Sequence, residues 1–182
     1  MALSHGVPVE KYHADNGIFS AKAFKQILSD MDQHVRFSGV GAHHQNGVAK
    51  QAICTVMYRA HIMLLHAALR WPEMADVSLW PMALSHAVFL WNNTTNPETG
   101  LSPLEVFSCS KADIPIIQQQ HVWGCPVYVL HPTLQDGKKL PKWEPRSRRR
   151  VFVGNASEFS CHVGLVLHPK TGFISPQFHF LL

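Results

Sequence analysis

The chain has 182 residues, of which 46% are hydrophobic and only 15% charged, a balance that suits one or two packed domains and excludes a charge-rich disordered tail. Its formal charge of +4 is uneven: residues 138–150, KKLPKWEPRSRRR, hold seven Lys/Arg and one Glu, a net of +6, and the other 169 residues sum to −2. No continuous apolar stretch approaches the roughly 20 residues of a membrane span, and the N-terminus lacks the regions of a secretory signal, so the chain reads as soluble, not secreted and without a membrane partner.

In chain order, residues 7–15 (VPVEKYHAD) alternate loosely and end in the turn former Asn16-Gly17, which predicts a short strand delivering Asp15 to its C-terminal end. Phe24, Ile27, Leu28 and Met31 then recur at three and four residues, one apolar stripe of a helix over 20–31. Val35-Arg36-Phe37 reads as a second strand. The strongest helical pattern runs from Asn46 to Trp71 and stops at Trp71-Pro72. A second long helix is predicted over 79–93, with Ser78 as N-cap and Pro81 in its first turn. Beyond Pro103 the texture changes to short strand-like runs at 127–130, 150–153, 163–167 and 172–180, the pattern of a small antiparallel sheet or barrel. The cysteines at 54, 109, 125 and 161 form no C-x-x-C pair and read as reduced thiols in packing roles.

Two local signals bear on chemistry. His13-Ala14-Asp15-Asn16-Gly17 puts an aspartate at a strand end, where an Asx turn alone would explain it. Gly39 to Lys50, GVGAHHQNGVAK, is a glycine-rich polar loop entering a helix; it reads equally as a flexible loop or as an active-site loop that approaches phosphate.

Taken in order, these signals resemble the retroviral-type integrase core, specifically the integrases of copia-type retrotransposon polyproteins. In that family an SDNG-like strand end supplies the second acidic residue of a D,D-35-E triad. A loop close to GVxAHHQNGxAERAI leads into the helix that bears the third. Asp15 matches the second aspartate and Lys50 stands where the glutamate belongs, with 34 residues between them. The segments MLLHAALRWP, LWPMALSHAVFLWN, TGLSPLEVF, WGCPVYVLHPTLQDGKKLPKWEPRSRRRVFVG and TGFISPQFHF carry the resemblance over essentially the whole chain.

The resemblance implies an α/β fold class: a partial ribonuclease H-like integrase core over 1–107, a linker over 108–120, and a small mostly-β C-terminal region over 121–182 that contains the basic segment. With the first strands of such a core missing, an unpaired sheet edge and an uncovered apolar helix face are expected, and with them marginal stability.

The family's chemistry is metal-assisted phosphoryl transfer, in which carboxylates hold two Mg2+ or Mn2+ ions about 3.5–4 Å apart. The chain begins 14 residues before Asp15, so the strand bearing the first aspartate is expected to be absent. Lys50 offers no lone pair, and no acidic residue lies between Asp32 and Glu73. Asp15 alone makes an incomplete metal site. The expectation is a truncated integrase fragment without catalytic activity or bound metal that retains nucleic-acid binding. The alternative is a non-catalytic, domesticated nucleic-acid-binding module.

The adjacent histidines lack the helical spacing of a zinc site, and the resemblance assigns His43, His44, Gln45 and Asn46 to DNA contacts. Lys138, Lys139, Lys142, Arg146, Arg148, Arg149 and Arg150 flank Trp143 and are stiffened by Pro141 and Pro145. That arrangement suits cations laid along a phosphate backbone beside an aromatic ring, so salt-dependent, sequence-independent binding of DNA or RNA is expected. SRRR also reads as a nuclear import signal. A nuclear location and oligomeric partners among other integrase copies follow from the resemblance.

Overall fold

The computed structural model describes residues 6–14, 17–39, 43–73, 75–111, 116–156, 159 and 163–181. Strands and helices mix along the chain, which is an α/β arrangement. It divides into two units, one of residues 1–55 and 95–112, the other of residues 56–94 and 113–182.

In the first unit β1 (Lys11–Ala14) and β2 (His34–Phe37) pair in parallel, with Lys11 opposite His34 and Ala14 opposite Phe37. Parallel neighbours need a crossover, which α1 (Lys22–Asp30) supplies. Of the predicted α1 stripe only Leu28 is buried, while Ile27 and Met31 are exposed. Lys25 Nζ lies 5.0 Å from the Phe37 ring centre, and Phe19 meets Phe24 edge-on at 5.5 Å. Among the described residues this sheet has two strands only, and an isolated pair of strands is marginal in water. A short α4 (Pro103–Ser108) closes the unit's sequence under a reciprocal cap: Ser102 Oγ accepts from the Glu105 N–H, and Glu105 Oε2 accepts from the Ser102 N–H at 2.8 Å. The signal S-x-x-E was present in TGLSPLEVF, although the elements predicted from the sequence do not include this helix.

The long α2 (Gly47–Arg70) follows its predicted span to within one residue at each end and crosses the boundary between the units. Its face of Val56, Ala60, Met63, Leu64 and Ala67 enters the core of the second unit. There it joins Ala83 and Ala87 of α3 (Trp80–Asn93). The predicted N-cap, Ser78, is displaced: a single 3-10 turn over Val77–Leu79 precedes α3, whose N-cap is Leu79 with no side-chain bond. Pro81 does occupy the first turn.

Five strands complete this unit: β3 (Pro126–Leu130), β4 (Ser147–Asn155), β5 (Gly164–Leu167), β6 (Ile174–Gln177) and β7 (Phe180–Leu181). They form one antiparallel sheet in the order β6-β5-β4-β3-β7. Because side chains alternate across a strand, the sheet has two different faces. Val151, Val153 and Leu167 pack with Trp123 and the alanines of the helices, whereas Val127, Val129, Phe152 and Val166 cluster with Cys125 and Phe180.

Two expectations need correction here. Among the described residues the helix His44–Arg70 is, by length and composition, long and apolar enough to cross a membrane. Lys50, Arg59, His61 and His66 interrupt the apolar run, so a search for continuous apolar residues misses what the helix average contains. Only 11% of its most apolar window is buried, and Tyr58, Ile62, Leu65 and Leu69 are exposed opposite the packed face. The cysteines also depart from the packing role: Cys125 is buried, but Cys54 and Cys109 are exposed. Cys161 lies outside the described residues.

Candidate nucleic-acid interface

Asp15 lies outside the described residues, as do Asn16, Val40, Gly41 and Ala42. The loop then forms a 3-10 turn, His43–Asn46, that runs directly into α2. Gln45 Oε1 accepts from the Gly39 N–H at 3.0 Å and so ties the end of β2's loop to the helix entrance. His44 and Gln45 are exposed and Asn46 is half-buried. Lys50 sits in the first turn of α2 with its side chain exposed. Under the strand ends, His13 Nε2 meets the buried Ser38 Oγ at 3.3 Å.

The basic segment divides into a loop and a strand. After α5 (Pro132–Gln135), Gly137 takes a left-handed φ of 73°, and residues 138–146 lead through a turn in which the Glu144 N–H donates to Pro141 O. Lys138, Lys139, Lys142 and Arg146 are all exposed. Trp143 is 89% exposed, with Lys142 Nζ 5.5 Å from its ring centre. A large apolar ring held in water among cations is the arrangement that single-strand binders use to stack a base beside a phosphate contact.

Arg148, Arg149 and Arg150 belong to β4, which begins at Ser147. The strand period therefore sends them to different faces. Arg149 lies with its guanidinium carbon 4.7 Å from the Trp71 ring centre, a cation–π contact at the end of α2. Arg148 and Arg150 share the opposite face with Val127 and Val129, their partners in the register with β3. Together with residues of β5 and β6 they line an open cup of about 120 Å³. Its buried lining is Val129 and Val166, and Gln135, His168, Ser175 and Gln177 supply polar groups. None of its lining residues is acidic.

Among the described residues neither arginine in the cup has a carboxylate in its lining. Arg148 Nη2 is 2.7 Å from His131 Nε2. A guanidinium only donates, so this contact requires a lone pair on Nε2. His131 Nδ1 accepts from the Thr133 N–H at 3.3 Å, so a neutral ring can accept in one of these two contacts at a time. Arg150 Nη1 turns back to donate to Arg149 O at 2.9 Å. Burial, and after it the charge of Arg148, hold the Arg150 guanidinium below its ordinary range.

No family model matches this chain, and no curated protein matches it. Among solved structures, the chain is similar to one in the CryoEM structure of simian T-cell lymphotropic virus intasome in complex with PP2A regulatory subunit B56 gamma, at 14% identity and a TM-score of 0.45. The likeness covers 98% of this chain and 59% of that one, so this chain spans less than two thirds of its neighbour's length. At that identity and TM-score the neighbour is distant, and no function passes from it to this chain.

Sequence reasoning grouped the seven cations of 138–150 as one set. The structure separates them into an exposed loop of four, a pair in a cup, and Arg149 on Trp71. The cup was not foreseen from the sequence. Its walls come from residues between 129 and 177 that only strand pairing brings together.

Proposed function

We propose that this protein is a non-catalytic relative of the copia-type integrases that binds nucleic acid through its basic segment, in the nucleus. The observation that carries the reading is the exposed run of Lys138, Lys139, Lys142 and Arg146 around Trp143, with Glu144 as the one acidic side chain in the segment. Backbone binding of this kind does not depend on base sequence and serves DNA and RNA alike. By the resemblance, His43, His44, Gln45 and Asn46, in the 3-10 turn that runs into α2, are separate candidates for DNA contact in the first unit.

The absence of catalysis rests on the donor set. Hard divalent cations such as Mg2+ and Mn2+ take oxygen ligands, and the position of the third carboxylate holds the ammonium of Lys50, which repels a cation. Among the described residues no three His, Cys, Asp or Glu side chains gather into a group that could hold a metal. The residues present do not fit a two-metal centre, and no metal-dependent step is assigned to them. Purified protein is expected to insert no donor DNA into a target with either ion. Insertion that disappears in Asp15→Asn would overturn this.

Binding is tested by fluorescence anisotropy on a duplex of arbitrary sequence across a salt series. With four cations each neutralising one phosphate, affinity is expected to fall about a hundredfold between roughly 50 and 200 mM salt. Replacing Lys138, Lys139, Lys142 and Arg146 together by alanine is expected to remove most of that slope. Binding that ignores salt, or survives the fourfold replacement, contradicts the reading.

A further inference from the structure

We infer that the cup holding Arg148 and Arg150 is a pocket for the terminal phosphate of a nucleic-acid strand, with the end nucleotide's base resting on Phe173. This inference rests on the nucleic-acid reading above and names the part of the strand that this second site takes.

The argument starts from charge. Arg148 and Arg150, two residues apart on one face of β4, both line one cup in which, among the described residues, no lining residue is acidic, and two neighbouring like charges favour an anion beside them. Arg148 Nη2 instead lies 2.7 Å from His131 Nε2, and Arg150 donates to a backbone carbonyl. An oxyanion makes stronger, charge-assisted bonds to a guanidinium than either of those neutral acceptors. The cup is thus built from cations whose present partners are readily exchanged for an anion.

Size and shape narrow the class. A volume of about 120 Å³ far exceeds the roughly 10–15 Å³ that one water needs on the same measure, so the cup admits a group larger than water, such as a phosphate. An internal phosphodiester must enter and leave with chain on both sides, whereas a strand end needs only one opening. A terminal phosphate monoester also carries close to two negative charges at neutral pH, as phosphorylated side chains do, and so answers both arginines. The buried lining of Val129 and Val166 suits the carbon face of a sugar.

At the lip, Phe173 is 68% exposed although it lines the cup. It stands next to His168, whose backbone N–H donates to the Phe173 carbonyl at 2.8 Å. A solvent-exposed ring beside a phosphate pocket offers a stacking surface that any base can use. Gln135 and Gln177, whose amide groups lie 3.5 Å apart, add polar lining to the cup.

The test compares one single-stranded oligonucleotide with a 5′-phosphate, with a 3′-phosphate and with hydroxyls at both ends, by anisotropy at fixed salt. Either phosphate is expected to tighten binding about tenfold. The double variant Arg148→Gln, Arg150→Gln is expected to erase that difference while the hydroxyl-ended strand still binds through the 138–146 loop. Equal affinity for all three ends, or a phosphate preference that survives in the double variant, overturns the pocket and leaves the nucleic-acid reading standing. If the hydroxyl-ended strand does not bind at all, the nucleic-acid reading falls, and the pocket as a strand-end site falls with it. A phosphoserine peptide that binds as tightly as the phosphorylated strand, with the same loss on the double variant, would also overturn the assignment to nucleic acid.

Discussion

Replacing Gly124 by alanine is expected to lower the stability of the second unit by about 3 kcal/mol, from a left-handed penalty of about 1–2 and an overpacking term of about 1–3 kcal/mol. Gly124 has a φ of 79°, and a β-carbon there would stand 2.9 Å from Ala67 Cβ and 3.4 Å from Ala67 Cα. The obstacle is a helix side chain and its backbone, which cannot swing aside. The same glycine ties β4 to the end of α2: its N–H donates to Phe152 O at 2.8 Å, and its carbonyl accepts from Trp71 Nε1 at 2.9 Å. Backing its chain away from α2 would therefore strain both bonds. Gly137→Ala is the control, because φ there is 73° but nothing lies within 4 Å of the added carbon. Urea unfolding should show Gly137→Ala losing about 1 kcal/mol and Gly124→Ala clearly more. Equal losses would mean that the contact with Ala67 relaxes away.

Acid is expected to destabilise the same unit through His86. Its side chain on α3 is 3% exposed, and its ring lies 5.8 Å edge-on from Phe152 and 6.2 Å in a stack with Phe89. Among the described residues its Nδ1 is buried without a hydrogen-bond partner. Burial alone lowers its pKa from 6.5 to about 4, since the charged ring would lose its hydration. The folded pKa is depressed, so as pH falls the unfolded chain takes up this proton first. The stability contributed by the uncharged ring is complete above about pH 6.5 and is lost progressively as pH falls through 4. At about 1.4 kcal/mol per pKa unit the full loss is about 3 kcal/mol. His86→Leu, of similar volume and without a titrating group, should flatten the decline between about pH 6.5 and 4 relative to the parent. Parallel declines in the two proteins would rule His86 out as the cause.

Much of the secondary structure was legible because periodicity is a local property. Spacing at three and four predicts a helix over 46–71, and α2 spans Gly47–Arg70. The same reasoning predicts α3 over 79–93, and it spans Trp80–Asn93. Strands predicted at 127–130 and 163–167 are found at Pro126–Leu130 and Gly164–Leu167. The N-cap of α3 was misread because a helix start depends on the preceding backbone, here a 3-10 turn. The α1 stripe is legible in the sequence but not its burial: among the described residues Ile27 and Met31 are exposed beside a sheet of two strands.

The candidate site shows the same division more sharply. Composition located the cations at 138–150, and no tertiary information was needed to see that the chain's positive charge is concentrated there. That Lys50 stands where the integrase pattern has a carboxylate is an expectation from the resemblance, and it too was read from the sequence alone. Where each arginine points depended on β4 beginning at Ser147, early enough to include all three of Arg148, Arg149 and Arg150. Strand alternation then put Arg149 on Trp71 and its two neighbours in the cup. Neither His131 nor Phe173 stood out in the sequence, because each acquires its role from a neighbour 17 residues away in one case and from a cup assembled across four strands in the other. Residue type and local spacing set the chemistry available to this chain, while the hydrogen-bond register between distant strands decided which cations share a pocket.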